Sequence, residues 1–128
     1  MKLQFHGHAC FSIFTESGTH LLIDPFLTGN SQATISADDL SPDVILLTHG
    51  HWDHIGDTAS IAKRTNCLVL CNPEIITYLK SKGVANFHGM NIGGGYQFDW
   101  GYAKMTPALH SSAIEDQGQL IPLGNPAG

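Results

Sequence analysis

Four potential metal ligands fall within six residues of this chain: His49, His51, Asp53 and His54, in the run Thr48-His49-Gly50-His51-Trp52-Asp53-His54. Zinc and related ions accept neutral imidazole nitrogen and carboxylate oxygen at about 2.0–2.2 Å, and settle with about four ligands. In an extended segment, residues two apart point the same way, so His49 and His51 can aim at one cation. Asp53 and His54, one step further, can serve a second ion beside the first, and Gly50 lets the backbone bend closely around both. The competing reading is a solvent-exposed polar turn that happens to be rich in histidine. Placement favours metal chemistry, because the cluster directly follows Val44-Ile45-Leu46-Leu47, an apolar run typical of a strand buried on both faces.

Other candidates are weaker on their own. His110 follows Pro107, and spacing alone makes it a loop residue as readily as a ligand. Ser111 and Ser112 can hydrogen-bond to a ligand or cap a turn. His8 belongs to a second His-Gly-His, His6 to His8, with no carboxylate or further histidine after it. It either contacts substrate or supports the site, or is a structural histidine. His6 and His20 are expected at the surface or on an edge strand, and His88 is open. Asp24 stands between a strand and Pro25, where it either orients the metal loop or caps a turn.

These residues need elements to hold them. The first 24 residues predict a β-meander: Leu3 and Phe5 alternate, then Cys10 to Thr15 and Leu21 to Ile23 form β-prone runs broken by Gly7 and Ser17-Gly18. A long loop to Pro42 follows, with a helical turn opened by Ser36. After the histidine cluster a helix is expected from near Asp57 to Arg64, then a buried strand from Cys67 to Cys71. Asn72-Pro73 signals a helix start, with Asn as N-cap and Pro in the first turn, and Gly83 closes that helix. The remainder is glycine-rich and β-like, and Gly124 to Gly128 is a turn-like segment resembling a cut through a loop. The order predicts an α/β domain over residues 1–128, a mixed sheet with helices on one face.

Composition narrows the partners. Formal net charge is −5 and the six basic residues are scattered, so no stripe exists for phosphates. Nucleic acid and an anionic membrane surface are both disfavoured. The longest apolar runs are about five residues, against the ~20 needed to span a bilayer. No apolar leader-like stretch opens the sequence. Cys10, Cys67 and Cys71 make no disulfide framework, and Cys67 and Cys71 would lie ~13 Å apart along a strand. Buried thiols in a reducing cytoplasm are the expectation.

The run from Thr48 to His54 matches the HxHxDH signature of the metallo-β-lactamase superfamily. Gly7-His8-Ala9-Cys10-Phe11, Leu22 to Asn30, His88-Gly89-Met90-Asn91-Ile92-Gly93-Gly94, and Pro107 to Ser112 resemble one branch of it, the metal-dependent hydrolases similar to ascorbate-6-phosphate lactonase. The resemblance covers essentially the whole chain and implies the N-terminal half of an αββα sandwich. By position it assigns His49, His51 and His110 to a first ion and Asp53 and His54 to a second. Asp53 is the residue expected to orient the attacking water and hold its proton. His8, Asp24 and Ser111 are expected to support the site or touch substrate. One or two divalent ions are implied, with zinc foremost and Mn²⁺ or Fe²⁺ as alternatives. The superfamily's bridging Asp and last His cannot be placed here, so a partner is expected to supply them.

Two functions compete. One is a metal-dependent hydrolase acting on an ester, lactone or phosphoester-type small molecule. The other is a non-catalytic metal-binding module, a truncated fold that associates with a partner. A redox di-iron relative is disfavoured because that group carries Glu where this chain has His51. Half a sandwich should expose a sheet face, expected to carry Ile45, Leu47, Leu68 and Leu70. Covering it calls for a homodimer or a complementary C-terminal half.

Overall fold

A computed structural model describes all residues, Met1–Gly128. Six strands form one sheet: β1 (Lys2–Phe5), β2 (Phe11–Phe14), β3 (His20–Ile23), β4 (Val44–Leu46), β5 (Leu68–Cys71) and β6 (Phe87–Gly89), side by side in chain order. The first three pair antiparallel and the rest parallel, so the sheet is mixed. Parallel neighbours need crossover connections. Those are the long loop with one 3-10 turn between β3 and β4, α1 (Trp52–Ile55) with α2 (Thr58–Thr65) between β4 and β5, and α3 (Pro73–Ser81) between β5 and β6. The expected meander, the two buried strands and both main helices are present, with ends shifted by a residue or so.

Local chemistry explains the helix ends. Asn72 accepts the Ile75 N–H at 2.8 Å and Pro73 occupies the first turn of α3. Ser36 caps a single 3-10 turn, Ala37–Asp39. Asp57 precedes α2 but gives it no side-chain cap. Its Oδ2 instead accepts from Leu27 N and Thr28 N, which pins the loop after β3. Gly56 between α1 and α2 must stay glycine: its φ is +41°, and a Cβ would lie 2.4 Å from the Pro25 carbonyl oxygen.

The two faces of the sheet differ, and here one expectation is corrected. Ile45 pairs with Val69, and Leu46 with Leu70. Side chains alternate between faces along a strand. Leu22, Ile45, Leu47, Val69 and Cys71 therefore share the face that packs on Ile61, Ile75 and Leu79 of the helices. Ile45 and Leu47 are core residues of the helical side; Leu68 and Leu70 lie on the other face. That other face carries Leu3, Phe5, Phe11, Ile13, Ile23, Leu46 and Leu70. Its only core is small: Leu70, Met90, Met105 and Ala127, next to the hairpin β7 (Gly95–Phe98) and β8 (Gly101–Lys104). Toward β1 it is open, with Leu3 63% and Phe5 56% exposed.

His6 and His20 are a second correction. Both are buried, and both reach Ser12 Oγ through Nε2, at 2.8 and 2.7 Å. The registers Phe5↔Phe11 and Phe14↔His20 put all three side chains on the helix-side face. A place beside the edge strand did not make His6 exposed, since its ring turns in toward Ser12.

The last residues close back on the fold. Hairpin β9 (Ala113–Asp116) and β10 (Gln119–Pro122) packs Ile114 and Ile121 against the helix-side core. Beyond it, Asn72 Nδ2 donates to the Leu123 carbonyl at 2.9 Å, and Ala127 N donates to the Thr48 carbonyl at 3.0 Å. No helix is long and apolar enough to cross a membrane.

Candidate metal centre

The site lies where β4 ends. Residues 47–51 run without regular pairing, and His51 is still extended at φ −80° and ψ 151° before the chain turns into α1. His49 and His51 thus lie on the extended approach, and Asp53 and His54 on the helical turn that follows. Gly50 is needed for a reason the sequence did not suggest. A Cβ there would lie 2.3 Å from Leu123 Cβ, so the glycine lets the tail pack over the loop. Ser112 ties the same segments, accepting from Gly50 N at 2.9 Å and donating to the Leu123 carbonyl at 3.1 Å.

Three imidazoles converge. Ring centroids of His49, His51 and His110 are 4.7, 4.7 and 4.8 Å apart pairwise, and one nitrogen from each lies within 4.8 Å of the others. His110 comes from a bend before β9, about sixty residues away in sequence; β9 and the tail bring it in. His49 Nε2 and His51 Nδ1 approach to 3.1 Å.

Hydrogen bonding decides which nitrogens are free. Thr48 Oγ1 has one proton and donates it to Asp24 Oδ2 at 2.6 Å, so His49 Nδ1, 2.9 Å from the same oxygen, must be the donor there. His49 Nε2 is then a bare lone pair. His51 Nε2 lies 3.2 Å from Ser111 Oγ, so Nδ1 is the nitrogen it turns toward His49. His49 Nε2 and His51 Nδ1 face each other closely enough to share either a proton or a cation. This donor set fits a divalent transition ion with an open position. Burial, with His54 second, pushes the His49 imidazole down to about 4, so it stays neutral and able to ligate.

Asp24 is buried beneath the loop and its partners are spoken for: Thr48 N at 2.9 Å, Thr48 Oγ1, and His54 Nδ1 at 2.8 Å. Asp24, His49 and His54 lie close enough to suggest a cation, but these donors already satisfy the carboxylate. The carboxylate fixes His54 with Nε2 outward. Burial opposes charging His54, but the Asp24 bond and charge outweigh it and raise its pKa above the ordinary value. Of the sequence candidates, Asp24 thus contacts the candidate ligand His54 directly, Ser111 touches His51, and His8 touches Asp53. Thr48 was missed. A short hydroxyl residue just before the first histidine was the available signal. His88 packs instead against Tyr96, tilted, and Phe98, edge-on. The cysteines are buried and unpaired, and burial pushes the Cys10 and Cys71 thiols up to about 12, which favours the inert thiol form.

Known proteins share these features. A family model described as the metallo-beta-lactamase superfamily matches residues 5–122. The chain is 50% identical to a UPF0173 metal-dependent hydrolase of Shouchella clausii, over all of this chain and 57% of that protein. It is 52% identical to one from Geobacillus thermodenitrificans, over all of this chain and 56% of that protein. It therefore spans a little over half the length of these relatives. Among solved structures, a novel metallo hydrolase from Ignicoccus hospitalis superposes with a TM-score of 0.82 at 31% identity, covering 98% of this chain and 53% of the other. The Rm3 metallo-beta-lactamase, at 20% identity and a TM-score of 0.57, shares the fold.

Proposed function

We propose that this chain, which belongs to the metallo-beta-lactamase superfamily, carries the metal-binding half of a hydrolase acting on an ester, lactone or phosphoester-type small molecule. The convergence of the His49, His51 and His110 nitrogens is the observation that carries the reading. When bound, a divalent ion, with zinc foremost and manganese or iron as alternatives, supplies a Lewis acid that acidifies water and polarises the electrophile. The chain's own residues do the rest. His49 Nε2, His51 Nδ1 and the His110 ring hold the cation. Asp53, on the helical turn beside them and a quarter exposed, orients a water and accepts its proton on a carboxylate oxygen. Thr48 and Asp24 keep the imidazoles in the tautomers that leave lone pairs facing inward.

The open sheet face supports a further part of the reading: a second copy of the chain, or a complementary C-terminal half, covers Leu3, Phe5 and their neighbours. Buried free thiols suit a reducing cytoplasm.

The test of activity is turnover of generic ester, lactone and phosphodiester substrates by zinc-loaded protein. Asp53→Asn should cut turnover ~10²–10⁴-fold while leaving the His49, His51 and His110 site loaded. Equal turnover in the variant removes Asp53 from the chemistry. No turnover by any loaded form, with metal tightly bound, favours the non-catalytic module.

A further inference from the structure

Beside Asp53 and His54 stands a third candidate ligand. His8 Nε2 lies 3.0 Å from Asp53 Oδ2, and ligand atoms of His8, Asp53 and His54 all lie within 4.8 Å of one another. With Nδ1 of His54 committed to Asp24, its Nε2 is the nitrogen left for a cation. His8 reaches this place because the turn between β1 and β2 is wound the uncommon way: Gly7 has φ +98° and His8 φ +55°. Gln32 secures that turn. Its Oε1 accepts the His8 N–H at 3.2 Å, and a Cβ on Gly7 would come within 2.8 Å of its own Cβ. The His8 ring is also fixed edge-on, 5.5 Å from Phe26 and 5.3 Å from His54. A non-glycine residue held in the left-handed region costs on the order of 1 kcal/mol, and here it directs an imidazole at a carboxylate.

We propose that His8 joins Asp53 and His54 as the third ligand of a second divalent-cation site, built entirely within this chain. The proposal rests on the reading of His49, His51 and His110 as the first site. Ligands bonded at 2.0–2.2 Å and separated by right to tetrahedral angles lie about 2.8–3.6 Å apart, so the 3.0 Å between His8 and Asp53 suits a shared ion. Two imidazoles and one carboxylate form a set used by first-row divalent ions with positions left open. His8 is 40% exposed and Asp53 26%, so those positions face outward, toward water or substrate. The site then has three ligands before any partner adds its own, where the sequence pointed to only two.

Cobalt(II) titration of the metal-free chain, followed by visible absorption, tests this with His8→Ala, His8→Gln and His49→Ala/His51→Ala variants. The wild type should take up a first and then a weaker second equivalent. Both His8 variants should keep the first and lose the second. His8→Gln is the discriminating variant, since its amide can still donate to Asp53 but ligates poorly. If it retains the second equivalent, His8 is only a hydrogen-bond partner and the proposal fails. It fails too if the wild type never binds a second ion. Loading ¹⁵N-histidine protein with ¹¹³Cd gives a readout that needs no variant: His8 should show metal–nitrogen coupling, and its absence in doubly loaded protein overturns the assignment. Should the first equivalent survive in His49→Ala/His51→Ala, it is the three-histidine reading that is wrong.

Discussion

Asp24 Oδ2 accepts the Nδ1 proton of His54 at 2.8 Å, linking a buried carboxylate at the end of β3 to a candidate ligand on the helical turn after β4. Asp24 itself sits at φ +43°, a conformation asparagine also tolerates. Asp24→Asn therefore isolates the chemistry from the backbone. Its amide oxygen can still accept from Thr48 N, but its NH₂ group, in the place of Oδ2, can accept from neither His54 Nδ1 nor Thr48 Oγ1. The expected result is ~10–100-fold weaker binding of the ion at His54, with binding at the three-histidine site weakened too, through Thr48 and His49. Competition against a chromophoric chelator measures both; unchanged affinity at both sites would contradict a role for Asp24 in holding His54.

The buried His6–Ser12–His20 chain makes a separate prediction about pH. Ser12 Oγ has one proton, so one imidazole must donate to it and the other must accept. Burial lowers the pKa of both histidines, helped at His6 by the charge of His20 and resisted at His20 by the Ser41 backbone and Asp43. Because the folded-state values lie below the ordinary 6.5, the unfolded chain binds more protons as pH falls. Stability is complete above about pH 6.5 and drains below it, by up to about 1.4 kcal/mol per pH unit for each histidine. Urea midpoints between pH 7.5 and 5.5 should fall more steeply for the wild type than for a His6→Gln/His20→Gln variant. Parallel slopes would show that the pair does not titrate this way.

The open sheet face predicts association. Leu3 and Phe5 lie on the edge strand β1 in register with Ile13 and Phe11, an apolar surface with little over it. Burial of such surface is worth roughly 25 cal/mol per Å². At micromolar concentration the chain should self-associate or bind an apolar dye, and Leu3→Lys/Phe5→Lys should weaken both. A monomer by sedimentation that binds no dye would contradict the half-fold account.

Much of this was legible beforehand, and for identifiable reasons. Local signals were reliable where a few neighbouring residues settle the matter: Asn72-Pro73 opened a helix, Ser36 capped a turn, and Val44 to Leu46 made a buried strand. The cluster from His49 to His54 was visible because its ligands are close in sequence. His110 needed the resemblance, since only the folding of β9 and the tail brings it to His49. The facing of Ile45 and Leu47 was misjudged because an apolar run carries no alternation to mark its sides. The burial of His6 and His20 was out of reach because it depends on strand register bringing both to Ser12, which spacing does not show. The approach of His8 to Asp53 depends on a left-handed turn and so was out of reach of spacing alone.

The central claim is that His49, His51 and His110 hold one transition ion between them. The direct measurement is elemental analysis of protein purified without chelator, on the wild type, His110→Ala and His49→Ala/His51→Ala. The wild type should retain about one tightly held ion per chain through dialysis, as a three-histidine site does. The double variant should lose it, and His110→Ala should hold it far more weakly. Tightly bound metal that persists unchanged in the double variant would show that the ion sits elsewhere, and the account would be wrong.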